Sequence, residues 1–147
     1  MLGYHYRYNK LMFFRLDGIR RLKAMDVESQ PEKYEALWEK FDRHLWGIST
    51  GAQSLDHLEM LIHAGPDEFF IVERLEREKR HGIVEQVDDT TWKFTADVYD
   101  ANEMMPWVRT FIGRIDRLEC SNKLFLDRFR DDLASMRRMY GGESHAV

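Results

Sequence analysis

Residues 91–98 read Thr-Trp-Lys-Phe-Thr-Ala-Asp-Val, with Trp92, Phe94, Ala96 and Val98 alternating against Lys93, Thr95 and Asp97. Period two is the signature of an extended chain, whose side chains point to opposite faces in turn. The segment therefore predicts a strand over residues 91–99 with one face buried and the other in water, in a sheet covered on one side. Its neighbours must supply the rest of that sheet and its cover. Residues 83–87 form the other arm of a hairpin over Asp88-Asp89-Thr90, where aspartates favour turn geometry.

Residues 55–64 read as a third strand through Leu55, Leu58, Met60, Leu61 and Ile62, although helical spacing fits them nearly as well. Gly65-Pro66-Asp67 opens a helix over 66–80 with Phe69, Phe70, Val72 and Leu75 inward, stopped by Gly82. Asp100 or Asn102 caps a helix over 103–112 that buries Met104, Trp107, Val108 and Phe111. A strand over 113–119 follows, then Ser121 as N-cap of a helix over 122–140 with the stripe Phe125, Phe129, Leu133, Met136 and Tyr140. Gly141-Gly142 ends it, and the tail to Val147 is expected to be disordered. The order from residue 55 is β-α-β-β-α-β-α. Its first six elements match a ferredoxin-like, split βαβ arrangement, an antiparallel sheet with its helices on one face.

The first third differs. Residues 3–8 set Tyr4, Tyr6 and Tyr8 against His5 and Arg7, a strand pattern, and Asn9-Lys10 suits a hairpin turn. Residues 11–25 read as a longer second strand with a bulge or bend at Asp17-Gly18. After the polar connector 26–31, Pro31 begins a helix with Tyr34, Leu37, Trp38, Phe41 and Leu45 in one stripe, ended by Gly47. A domain boundary falls near 48–54. Two units follow, 1–50 and 51–147, in an α+β chain.

Charge is unevenly spread. Residues 1–24 carry six cations against Asp17 alone, +5, so the remainder is -9 within a total of -4. Such a basic stretch can hold an anion locally or be a solvated strand face. Single Cys120 leaves no intrachain disulfide and no cysteine-based zinc site. No apolar run approaches the roughly 20 residues that cross a bilayer, and Arg7, Lys10 and Arg15 interrupt any leader-like core. A cytoplasmic protein, not associated with membranes, is expected.

Residues 14–19, Phe-Arg-Leu-Asp-Gly-Ile, resemble the F-R-L-D-R-I strand of WYL-domain bacterial transcriptional regulators. The preceding Met1-Leu2-Gly3-Tyr4 and a following helix that leads into Gly47-Ile48 lie in the family's order. Trp107 to Gly113 and the closing Met136…Tyr140 resemble the WCX extension of that family. The resemblance implies a truncated Sm-like β-barrel (strand pair and helix) over 1–50 and a WCX extension over 51–147. The naming Trp-Tyr-Leu tripeptide is absent, and Met1 falls about where its Leu stands, so the upstream barrel strands and the helix-turn-helix are expected to lie outside this sequence. Gly18 stands where the motif has Arg, a lost cation that Arg20 or Arg21 can replace.

The resemblance further implies a homodimer that senses a nucleotide or single-stranded nucleic acid and touches DNA only through a helix-turn-helix domain. The ligand-binding residues it points to are Tyr4, His5, Arg7, Arg15, Asp17 and Arg20. Arginines beside aromatic rings offer charge-assisted bonds to phosphate and stacking faces for bases. Each also has a plainer reading: Arg15 and Asp17, two apart on a strand, form an ion pair, and the tyrosines fill a core. The plainer function is a dimerisation module with an incomplete pocket.

No enzyme, cofactor or metal is expected. His57 and His63, about 20 Å apart on a strand, cannot share an ion. Cys120 sits at a helix N-terminus that favours thiolate but has no histidine near it in sequence. No Gly-rich phosphate loop, Ser-His-Asp set or HExxH motif occurs.

Overall fold

The computed structural model describes residues 2–24, 31–49 and 54–141. In chain order the elements are β1 (Leu2–His5), β2 (Lys10–Phe13), α1 (Pro31–Asp42), β3 (Asp56–His63), α2 (Phe69–Glu78), β4 (Ile83–Gln86), β5 (Thr91–Val98), α3 (Met105–Arg109), β6 (Ile115–Cys120) and α4 (Lys123–Tyr140). The fold is mixed α+β, with two antiparallel sheets and no closed barrel among the described residues.

The alternating run is β5, and it lies inside the larger sheet, whose order is β4-β5-β3-β6. Every neighbouring pair is antiparallel. Register carries the alternation across the sheet: Met60 stands opposite Phe94 and Leu118, and Leu58 opposite Ala96 and Cys120. This pairing on both edges decides residues 55–64 as strand, because a helix there would leave both flanking strands without ladder partners. Leu58, Met60, Ile62, Phe94 and Val98 form one core with Ile71 and Leu75 of α2, Met104 to Phe111 around α3, and Phe125 and Phe129 of α4. Fully burying such a side chain is worth about 1.5–3 kcal/mol. The opposite face carries His57, Glu59, Lys93, Thr95, Asp97, Arg117 and Glu119, with Arg117 bonded to Glu59 at 2.7 Å and Lys93 to Glu85 at 2.9 Å.

Several elements differ from the sequence reading. α2 starts at Phe69, not residue 66, and its inward phase is set by Ile71 and Leu75, so Phe69 and Phe70 are exposed. The cap of α4 is Asn122, whose Oδ1 accepts the Phe125 N–H at 3.3 Å. Ser121 is used elsewhere: its hydroxyl accepts the His57 N–H at 2.9 Å. The helix expected over 103–112 is a 3-10 turn, Ala101–Met104, running into the short α3, with Asp100 accepting from Asn102 N–H. The α4 stripe is buried only in its first half; Leu133, Met136 and Tyr140 are exposed.

The N-terminal strands are shorter than their pattern. β1 stops at His5, and a 3-10 turn Tyr6–Tyr8 with Asn9 left-handed (φ 48°) closes the hairpin, so the alternation ends; the Tyr6 ring meets Tyr4 edge to face at 5.5 Å and Tyr8 lies 4.5 Å from His5. Tyr4 Oη donates to Asn9 Oδ1 across that turn. β2 ends at Phe13, not residue 25. A second 3-10 turn, Leu16–Gly18, follows, with Arg15 and Asp17 bonded to each other beside it, and residues 19–24 have no regular structure. α1 ends at Asp42 rather than at Gly47, and Phe13 meets its Trp38 edge to face at 6.3 Å. Residues 25–30, the boundary residues 50–53 and the tail 142–147 lie outside the described residues.

One ion pair ties the start of α2 to β6. Arg114 grips both Glu68 carboxylate oxygens at 2.5 and 2.6 Å, and the Gly65 N–H donates to the same carboxylate. Arg114 first, and the Gly65 amide after it, hold the Glu68 carboxyl down at about 2 against an ordinary 4.5. A carboxyl depressed by folding stabilises the fold above its unfolded value and loses that contribution as pH falls through its folded value. Glu68→Gln should therefore be less stable than the parent at pH 7. The gap should close as pH drops from about 4.5 to about 2. Denaturant melts of both proteins across that range check it; a gap that persists below pH 2 contradicts it.

Candidate functional site

The six residues expected to bind a ligand lie on or beside the N-terminal hairpin. Arg15 and Asp17 form a two-point pair at 2.6 and 3.1 Å, with the Arg15 side chain 86% exposed. Their mutual bond raises the Arg15 pKa and lowers that of Asp17. Arg7 and Arg20 are exposed. His5 lies between Tyr8, at 4.5 Å, and Phe14, stacked at 6.2 Å; its Nδ1 is buried without a hydrogen bond among the described residues. Arg7, Arg15 and Arg20 are thus exposed cations, with the aromatic rings of the hairpin nearby in sequence. The five concavities described for the chain are lined by other residues.

A deeper arrangement lies where the chain leaves α1. β4 is too short to cover the whole of β5, and residues 43–49 take its place as a strap along the uncovered end. The Tyr99 N–H donates to the His44 carbonyl at 3.0 Å. The Glu103 carboxylate then accepts three successive backbone N–H groups, from Gly47, Ile48 and Ser49, at 2.9–3.2 Å. A Cβ on residue 47 would sit 2.6 Å from that carboxylate, so glycine is what lets it in. Trp46 meanwhile packs at 4.9 Å from Trp107, which lies 4.9 Å from Phe94 and 5.1 Å from Phe111. Trp107 Nε1–H donates to Glu78 at 2.9 Å. Burial pushes the Glu78 carboxyl up, but bonds from Trp107, Arg74 and Arg77 outweigh it and leave the pKa lowered.

Three imidazoles meet at the open face of the sheet: His44 from the strap, His57 from β3 and His81 from the turn after α2. His57 and Asp97 are cross-strand partners, and His57 Nδ1–H donates to the Asp97 carboxylate at 2.7 Å. His44 Nδ1–H donates to the Asp97 carbonyl at 2.9 Å, and His81 Nε2–H to the Asp42 carboxylate at 3.0 Å. The proton positions follow from the partners, since carbonyl and carboxylate oxygens only accept. With Arg43, Ile83, Thr95 and Ala96 these residues line a crevice of about 110 Å³. A wider hollow of about 300 Å³, lined by Ala36, Glu39, Lys40, Arg43 and His44, adjoins it. Sequence reasoning missed this cluster, because its histidines stand far apart in sequence and only the β3–β5 register joins His57 to Asp97. His57 and His63 lie at opposite ends of β3, and no group of three or more His, Cys, Asp or Glu among the described residues has metal-holding geometry.

Two further sites complete the survey. Cys120 is half-buried, and burial raises its thiol pKa, which corrects the expectation of a favoured thiolate. On α4, Met136 and Met139 line a hollow of about 450 Å³ with Arg109, Ile112, Asp132 and Ser135, and Leu133 and Tyr140 are exposed beside it. No helix among the described residues is long and apolar enough to cross a membrane. No family model, curated protein or solved structure matches the chain.

His81 is positioned by the turn after α2. Arg80 is left-handed (φ 51°), with its guanidinium 5.5 Å from the Trp46 ring. Gly82 then passes so close to the core that a Cβ would lie 2.5 Å from the Phe94 ring and 2.9 Å from the Lys79 carbonyl. Neither backbone nor a fully buried ring yields easily. Gly82→Ala should destabilise the chain by about 1–3 kcal/mol, the usual cost of overpacking. An unchanged denaturation midpoint would show that this turn is looser than drawn.

Proposed function

We propose that the chain is the effector-sensing and dimerisation region of a bacterial transcriptional regulator of the WYL type. In this reading it binds a nucleotide or single-stranded nucleic acid through the N-terminal cations. The hairpin and α1 stand for part of an Sm-like WYL barrel. The order β4-β5-β3-β6, with α2 and α3 packed on one face, is the order of the ferredoxin-like fold assigned to the WCX extension. Support comes from the hexapeptide at residues 14–19 and from the exposed Arg7, Arg15, Arg20, Arg21 and Lys23. The observation that carries the reading is Arg15, 86% exposed and held by Asp17, in the same N-terminal segment as the exposed rings of Tyr6 and Tyr8. A guanidinium can grip a phosphate at two points while bases stack on rings.

A second reading, a dimerisation module without a working pocket, is favoured by the exposed half of α4. An antiparallel α4 pair centred between Ala134 and Ser135 sets Leu133 against Met136 and Asp131 against Arg138 of the other copy. Opposite charges then flank an apolar seam.

The two readings separate in one binding experiment. A labelled single-stranded oligonucleotide should bind at low salt, weaken steeply as salt rises, and bind Arg15→Ala roughly tenfold less well, about 1.4 kcal/mol. The melting temperature of that variant should stay near the parent's, because the Arg15 side chain is 86% exposed. No binding at low salt by a chain that is dimeric in light scattering selects the second reading. Unfolding of Arg15→Ala makes the Arg15–Asp17 pair structural and removes the first.

A further inference from the structure

We infer that the crevice between the end of α1 and the open face of β3 and β5 is a binding site for a small dianion, a sulfate or the phosphoryl group of a small molecule, filled with uptake of protons. It does not depend on the role given to Arg15.

Some hydrogen-bond donors of the crevice are committed and others are not. In the crevice each imidazole has one ring N–H engaged: His57 with the Asp97 carboxylate, His44 with the Asp97 carbonyl, His81 with the Asp42 carboxylate. The second ring nitrogen of each has no partner among the described residues. In the neutral ring that nitrogen is an acceptor; on protonation it becomes a donor, with the first bond kept. Arg43, which lines the same crevice, has no hydrogen bond or ion pair among the described residues, so its donors are available at any pH. Thr95 adds a hydroxyl.

The charges follow. With neutral histidines the charges of Arg43 and Asp97 in the crevice and of Asp42 on His81 sum to -1. With three protonated rings the balance is +2. The other charges on the surrounding elements are largely spoken for: Glu59 binds Arg117, Glu85 binds Lys93, and Arg80 lies over Trp46. Glu39 and Lys40 of α1, opposite in sign, line the adjoining hollow. A volume of about 110 Å³ admits one tetrahedral oxyanion, and the wider hollow leaves room for what a phosphoryl group is attached to. A metal ion would need ligand nitrogens that converge, and no group of three among the described residues does.

Sulfate is the suitable probe, because it keeps two charges across the pH range in which histidine titrates. Calorimetry of the full chain with sodium sulfate should show at least tenfold tighter binding at pH 5.5 than at pH 8. The heat should vary with the buffer's ionisation enthalpy in the sense of proton uptake. Arg43→Gln, a change at an exposed side chain, should abolish binding; His57→Gln and His81→Gln should each flatten the pH dependence. Arg15→Ala should leave sulfate binding unchanged, so failure here and failure of the N-terminal reading are told apart. Inorganic phosphate should compete with sulfate. Equal affinity at the two pH values, binding that survives Arg43→Gln, no heat at either pH, or loss of binding in Arg15→Ala would each overturn the proposal. So would zinc binding that depends on the three histidines while sulfate does not bind.

Discussion

The Glu103 carboxylate is the contact on which the arrangement of this chain turns. It receives the amides of Gly47, Ile48 and Ser49, and so fastens the strap that leaves α1 to the far end of the four-stranded sheet. Backbone N–H groups left unpaired beside a buried core are costly, and a carboxylate in reach of three of them removes that cost at one stroke. The fastening has a consequence on each side of the sheet. On the covered side it lays Trp46 against Trp107 and Phe94, and aromatic pairs of this kind add about 0.5–1.5 kcal/mol beyond the area they bury. On the open side it holds His44 over Asp97 and carries Arg43 to the mouth of the crevice.

The same strap solves an edge problem. β4 ends before β5 does, and an uncovered stretch of strand is a template for unwanted pairing. The Tyr99–His44 backbone bond and the His44 side chain on the Asp97 carbonyl take up the groups that β4 leaves bare. The crevice is thus a by-product of edge protection: the side chains that cover β5 are those that line it. The other end of the molecule makes no such closure, since the second half of α4 keeps Leu133, Met136 and Tyr140 in solvent.

What could be read from sequence follows from how local each signal is. The alternation at residues 91–98, the hairpin to β4 and the final helix depend on neighbours a few positions away, and they came out in the right order. Segments whose conformation is set by a specific hydrogen bond did not. Residues 16–25 look like strand, yet β2 ends at Phe13 and the chain turns at Leu16–Gly18, where the Gly18 N–H donates to the Arg15 carbonyl. Phe69 and Phe70 look like core, yet the turn built on Glu68 and Arg114 delays α2 and points them outward. The crevice was illegible for a related reason: His44, His57, His81 and Asp97 come from four segments and meet only through sheet register and the strap. By contrast, the exposure of Arg7, Arg15 and Arg20 agrees with the excess of positive charge in residues 1–24.

The central claim is that Glu103 fastens residues 47–49 to the 3-10 turn that follows β5. Amide hydrogen exchange of Gly47, Ile48 and Ser49 tests it directly, in the parent chain and in Glu103→Ala. The account predicts that these amides are protected in the parent to a degree approaching that of β3 and lose that protection in the variant while β3 keeps its own. Free exchange of all three in the parent, beside a protected β3, would contradict it.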